Sequence, residues 1–187
     1  MTLTLKIIIG STRPTRKGPA VAKWIDGLAR KNDAFKVELV DLAEIGLPLL
    51  DEPHHPAMKK YEHEHTKRWS AAIEDADALI FVTPEYDFFA PASLVNAIQC
   101  LSQEWKYKVA GVVCYGGISG GLRSSQELRM LLVNNGVMPI QQVVPLPMFA
   151  DSINEDGVFV ANDKMIEGAE GMLSELVKWG TALKTLR

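Results

Sequence analysis

Cysteine is scarce: Cys100 and Cys114 are the only two, and they sit in separate apolar segments. That excludes a disulfide-stapled scaffold and a C-x-x-C pair, and points to buried thiols in a reducing compartment. No run approaches the ~20 apolar residues of a membrane span and no signal-peptide pattern opens the chain, so a cytoplasmic protein without membrane contact is expected. Basic excess is missing as well. Against 23 Asp and Glu there are 20 Lys and Arg, a net charge of −3, which argues against a nucleic-acid binder. Neither the dinucleotide fingerprint G-x-G-x-x-G nor the P-loop G-x-x-x-x-G-K-[ST] occurs. The four histidines, His54, His55, His63 and His65, fit neither H-E-x-x-H nor a two-Cys, two-His spacing, so they read as a hydrated loop and helix start, and no metal is expected.

What is present is organised around Leu5 to Pro19. Leu5, Ile7, Ile8 and Ile9, interrupted only by Lys6, have the length and character of a buried parallel strand. Gly10 ends it, and Ser11, Thr12, Arg13, Pro14, Thr15, Arg16, Lys17, Gly18 and Pro19 follow. A helical pattern then starts, with Val21, Trp24, Ile25 and Leu28 on one face and Pro19 at its first position. Hydroxyls, three cations and a helix N-terminus delivered to one spot suit an anion, with phosphate the first candidate.

Four further strands are expected: Phe35 to Asp41, Ala78 to Thr83, Val109 to Tyr115, and Met138 to Val144, the last stopped by Pro145 and Pro147. Helical patterns separate them, and the whole of residues 1–187 reads as one α/β domain. Asp41 resembles the ribose-binding acid of a dinucleotide fold, but the first turn lacks the glycines that go with it. Leu42 to Glu64 is a long connection of the kind used for lids or contact loops. After the third strand comes Pro84-Glu85-Tyr86-Asp87-Phe88-Phe89-Ala90-Pro91, whose aromatics suit a flat-ligand wall or a subunit contact, the alternative being that they tuck into the core. After the fourth comes Tyr115 and the glycine-rich stretch from Gly116 to Gly121, where backbone N–H groups can approach a ligand closely. Asn154 to Gly157 is a turn signal for a small hairpin. In a doubly wound parallel sheet of order 2-1-3-4-5 with helices on both faces, the three unusual loops converge on one crevice, which suits a flat phosphorylated cofactor.

"GSTRPTRKGP", "VTPEYDFFAPASLVNAI" and "YGGISGG", each following a strand, resemble the NAD(P)H-dependent FMN reductase family over roughly Leu5 to Ile140. The segment Glu64 to Ser70 also looks like that family's helix before the third strand. The resemblance implies a flavodoxin-like fold with FMN as cofactor, NAD(P)H as co-substrate and a quinone-type or other small electron acceptor. By the same resemblance, Ser11, Arg13, Arg16, Lys17 and Gly18 surround the FMN phosphate. Pro84, Glu85, Tyr86 and Asp87 border the isoalloxazine ring, mostly through backbone groups, and Tyr115, Gly116 and Gly117 line its pyrimidine side. It implies a homodimer or homotetramer, with Phe88 and Phe89 facing a neighbouring subunit or a flat substrate.

Two positions depart from the family pattern: Asp87 where Asn is usual, and Val95 where Lys is common. An ionised carboxylate beside the ring lowers the flavin's reduction potential. The other placement open to Asp87 is as an acceptor at the start of the following helix. No side chain is needed as a general acid, so no catalytic residue is assigned, and Tyr86 and Tyr115 are read as packing and hydrogen-bonding groups. The competing readings are a reductase that releases its reduced flavin, a flavodoxin-like electron carrier without nicotinamide activity, and an interaction module that has lost the flavin.

Overall fold

Apolar runs without polar alternation need cover on both faces, and the chain supplies it. The computed structural model describes residues 2–187. Its sheet has five strands, β1 (Leu3–Ile9), β2 (Phe35–Asp41), β3 (Ala78–Pro84), β4 (Val109–Tyr115) and β5 (Met138–Leu146), in the order β2-β1-β3-β4-β5. All neighbours are parallel. The helices are α1 (Gly18–Ala29), α2 (Leu42–Ile45), α3 (Glu64–Glu74), α4 (Ala92–Gln99), α5 (Leu122–Asn134) and α6 (Asp163–Lys184). The order and the two-sided cover are those expected from the sequence.

Alternation along each strand splits the core into two layers. Ile7, Ile9, Ile80 and Val82 pack with Val21 and Ile25 of α1 and Met172 and Leu176 of α6. Ile8, Leu79 and Phe81 face the opposite way, onto Trp69 of α3, Leu94 and Ile98 of α4 and Leu128 of α5. Both thiols are free and buried, and burial pushes Cys100 up to about 11 and Cys114 to about 12. Among the described residues no helix is long and apolar enough to cross a membrane.

One expectation on the last strand is corrected. β5 continues through Pro145 to Leu146, with Pro145 opposite Cys114 and Leu146 opposite Tyr115. The proline is tolerated because β5 is an edge strand, paired on one side only, so no ladder partner misses its N–H. The ladder also shifts register between Ala110 and Val112, a bulge that bends the edge. The hairpin at Asn154 to Gly157 is present, closed by the bridge between Ile153 and Phe159 and by Gly157 N–H to Asn154 O at 2.9 Å.

The long connection from Leu42 to Glu64 holds α2 and a 3-10 turn at Pro56–Met58. It is strapped down rather than loose. Asn96 of α4 donates to Pro48 O at 2.8 Å and accepts from Leu50 N–H at 2.9 Å. The histidines serve the same end: His55 accepts from Ala57 N–H at 3.1 Å, and His65 pairs with Asp51 at 2.9 Å.

Lys6, buried mid-strand, is satisfied by Glu38 on the adjacent strand and by Asp75 at 2.8 Å. Hydrogen bonds from Lys6 and Lys36 hold the Glu38 carboxyl at about 2, against 4.5 when free. The folded value lies below the unfolded one, so the stabilisation is complete above pH 4.5 and drains as pH falls toward 2. Glu38 is partly exposed, so solvent screening keeps the effect modest. Glu38→Gln is expected to flatten the acid limb of stability in that window, measured as urea midpoint against pH. An unchanged slope would refute the pairing.

Candidate functional site

The strand tips place the loops. Ile9 lies opposite Val82, and Pro84 opposite Tyr115, so the chain leaving β1, β3 and β4 emerges side by side at the carboxyl edge of the sheet. A cleft of about 310 Å³ opens there, lined by residues of all three loops. It lies at the small end of the range for ligand sites. Larger surface grooves, of about 690 and 790 Å³, lie between α1 and α6 and beside the end of α5, remote from these tips.

The first loop is rich in unused donors. Arg16 N–H closes a turn onto Arg13 O at 3.1 Å. Among the described residues, the amides of Ser11, Thr12, Thr15, Lys17 and Gly18 have no internal acceptor. Helix α1 carries no acidic residue in its first turn and no side-chain cap, so its positive end stays open to an anion. A Cβ on Gly18 would sit 2.7 Å from the Tyr115 hydroxyl; only glycine lets the helix start this close to β4.

The cations of this loop divide. Arg13 and Lys17 are exposed and line the cleft, while Arg13 also lies 5.5 Å from the centre of the Tyr86 ring. Arg16 lines it too, but its guanidinium is paired with Asp41 at 2.6 Å and donates to Ser11 O at 3.3 Å. Asp41 uses its other oxygen on Ala43 N–H, capping α2 at 3.0 Å. Both its oxygens are therefore engaged within the chain, and Arg16 ties the loop to the end of β2. Ser11 is fully buried, its hydroxyl 2.8 Å from that of Tyr86.

The second loop is a tight turn. Tyr86 and Phe89 exchange backbone hydrogen bonds at 2.9 Å each way. The two residues between them, Asp87 and Phe88, have φ of 49° and 76°. Phe88 and Phe89 are 58% and 59% exposed, so they do not tuck into the core. Asp87 is exposed at the tip. The helix-start role open to Asp87 is corrected: α4 begins after Pro91 with no side-chain cap, and Asp87 lies four residues before Pro91, inside the 86–89 turn. Glu85 directs its carboxylate to α5, receiving Ser119 Oγ at 2.9 Å, Arg123 Nε at 2.7 Å and the Arg123 amide at 3.0 Å. Burial opposes its charge, but these donors outweigh burial and hold the carboxyl below its usual range.

In the third loop Gly116 and Gly117 line the cleft and Tyr115 closes its floor, buried against Phe149 at 4.7 Å between ring centres. Burial pushes the Tyr115 hydroxyl well above its usual range. Thr15 and Phe149 complete the lining and were not singled out from the sequence. Phe149 had a readable signal, an aromatic just past the carboxyl end of the fifth strand, the same signal that marked Phe88 and Phe89.

These groups fit FMN. Free amides and two exposed cations at a helix N-terminus match a phosphate, and Gly116 and Gly117 line the same cleft as Tyr86. A Cβ on Gly117 would meet nothing within 4 Å, so the cleft there is open. The family model described as NADPH-dependent FMN reductase matches residues 3–151.

The chain belongs to this family. An NAD(P)H-dependent FMN reductase of Schizosaccharomyces pombe is 40% identical over 128 residues, 67% of this chain and 64% of the relative, so the match spans just under two thirds of that protein. A quinone reductase of Pseudomonas putida is 29% identical over 94% of each chain. Among solved structures, the flavoenzyme NAD(P)H:(acceptor) oxidoreductase FerB from Paracoccus denitrificans superimposes with a TM-score of 0.77 at 23% identity, covering 97% of this chain and 98% of that one. That likeness establishes the fold. In this FMN reductase family member the cleft is lined by Arg13, Thr15, Arg16 and Lys17 of the first loop, Pro84, Glu85 and Tyr86 of the second, and Tyr115, Gly116 and Gly117 of the third, with Phe149; of the residues expected from the sequence, Ser11, Gly18 and Asp87 do not line it.

Proposed function

We propose that the protein is an FMN-dependent NAD(P)H oxidoreductase acting on a quinone-type or other small acceptor. The observation that supports it best is the convergence of unpaired amides, two exposed cations, an aromatic turn and a glycine edge on one cleft at the tips of β1, β3 and β4. The amides of Thr12, Thr15, Lys17 and Gly18, with the Arg13 and Lys17 side chains, hold the phosphate. The peptide groups of Pro84 to Asp87 and of Gly116 and Gly117 orient the ring. Bound there, FMN supplies hydride acceptance from the nicotinamide and electron delivery to the acceptor. The protein's part is placement and charge stabilisation by fixed dipoles. No side chain is assigned as a proton donor: the Tyr115 hydroxyl is buried and Tyr86 is bonded to Ser11.

The exposed faces of Phe88 and Phe89 support a homodimer or homotetramer in which a second copy covers the turn. Two free, buried thiols support a cytoplasmic setting. Anaerobic addition of NADPH or NADH to the FMN-loaded protein is expected to bleach the visible flavin absorption, and a quinone is expected to restore it. Bound flavin that neither nucleotide bleaches would overturn the reading in favour of an electron carrier. Colourless protein whose turnover rises in proportion to added FMN would replace bound cofactor by diffusing flavin.

A further inference from the structure

The turn from Tyr86 to Phe89 has no glycine, yet both its central residues are in the left-handed region, which is disfavoured for ordinary side chains. Its own two hydrogen bonds close it, and its aromatic side chains gain little from the core. Tyr86 is anchored by the Ser11 hydroxyl, and the rest of the support comes from the start of α5 and the residues just before it. Arg123 lies with its guanidinium carbon 3.8 Å from the centre of the Phe88 ring. The same guanidinium pairs with Glu85, the residue that leads into the turn, through Nε at 2.7 Å and also through its terminal nitrogen. Glu85 is further fixed by Ser119 and the Arg123 and Ser124 amides. One turn along α5, Glu127 accepts from Ala90 N–H at 3.2 Å, just beyond the turn.

We propose that Arg123 is a positioning residue: wedged between the Glu85 carboxylate and the Phe88 ring, it holds the 86–89 turn at the edge of the cleft. This deepens the function proposed above and rests on it for the ligand. A guanidinium can meet a carboxylate through its edge while laying its flat face on an aromatic ring, and an ammonium cannot do both. Charge alone is therefore insufficient. Arg123→Lys is expected to lose the support, whereas Phe88→Tyr, which keeps an aromatic face, retains it.

The test uses the whole chain. In the flavin-free protein, Arg123→Lys is expected to speed amide hydrogen exchange across residues 85–90 at least about fivefold while β3 and the thermal midpoint stay constant, because only a local opening is eased. In titrations, its affinities for FMN and for riboflavin are expected to fall together, by about tenfold, with their ratio unchanged and the nicotinamide KM raised. Phe88→Tyr, which keeps an aromatic face under the guanidinium, stays within about twofold of the parent in hydrogen exchange over residues 85–90. Unchanged exchange over residues 85–90 in Arg123→Lys would overturn the proposal, and so would a selective loss of FMN over riboflavin, which would place the charge on the phosphate instead. If the parent protein binds no flavin, the functional reading fails, and the exchange measurement still decides the role of Arg123.

Discussion

Replacing Arg13 and Lys17 together by alanine is expected to weaken FMN binding about 100-fold or more, while riboflavin binding stays within about threefold, since riboflavin lacks the phosphate. Each charged hydrogen bond to a phosphate is worth roughly 1.5–3 kcal/mol, and two of them at the lower bound amount to about 3 kcal/mol. Both side chains are exposed, so the fold does not depend on them. Arg16 is left out of the pair because its removal also breaks the link to Asp41 and would confuse loss of a ligand contact with loosening of the loop. Titration by quenching of flavin fluorescence, with both ligands on both proteins, makes the comparison. Equal losses for FMN and riboflavin would contradict the phosphate assignment.

The largest effect on folding is expected at Gly121. Its φ is 84°, and a Cβ there would lie 2.6 Å from the backbone nitrogen of Tyr115 and 2.9 Å from the Cβ of Cys114. The left-handed conformation costs an alanine about 1–2 kcal/mol. The close contact is with a strand backbone, which cannot swing aside, so the total is at least about 3 kcal/mol. For a chain of this size that lowers the melting temperature by roughly 6–12 °C. The displaced residues are Cys114 and Tyr115, so flavin affinity falls as well. Gly117→Ala is the control: its Cβ meets nothing within 4 Å, and stability is expected to change by no more than about 0.5 kcal/mol. Calorimetry of the two variants settles the matter, and equal melting temperatures would refute the packing argument.

The fold was legible because its strands are buried on both faces. Runs such as Leu79 to Val82 have no other economical use, and the helical stripes between them follow one period throughout. The site was legible where backbone chemistry dominates: Gly116 and Gly117 and the helix start at Gly18 reveal themselves by residue type. Side-chain partnerships across long separations were hidden. Nothing local to Arg16 indicates that Asp41, at the end of the next strand, takes its charge. Arg123 looks like an ordinary residue of a helix first turn, and its contact with Phe88 exists only because β3 and β4 are neighbours. The strand through Pro145 was concealed for a related reason: the rule against proline assumes a partner on each side, and edge position is a property of topology rather than of the segment.

The prolines of β5 have a wider consequence. With Pro139 and Pro145 in the outer strand and a bulge between them, that rim offers an intruding strand no continuous row of donors. Joining of copies there, strand beside strand, into a longer sheet is therefore discouraged.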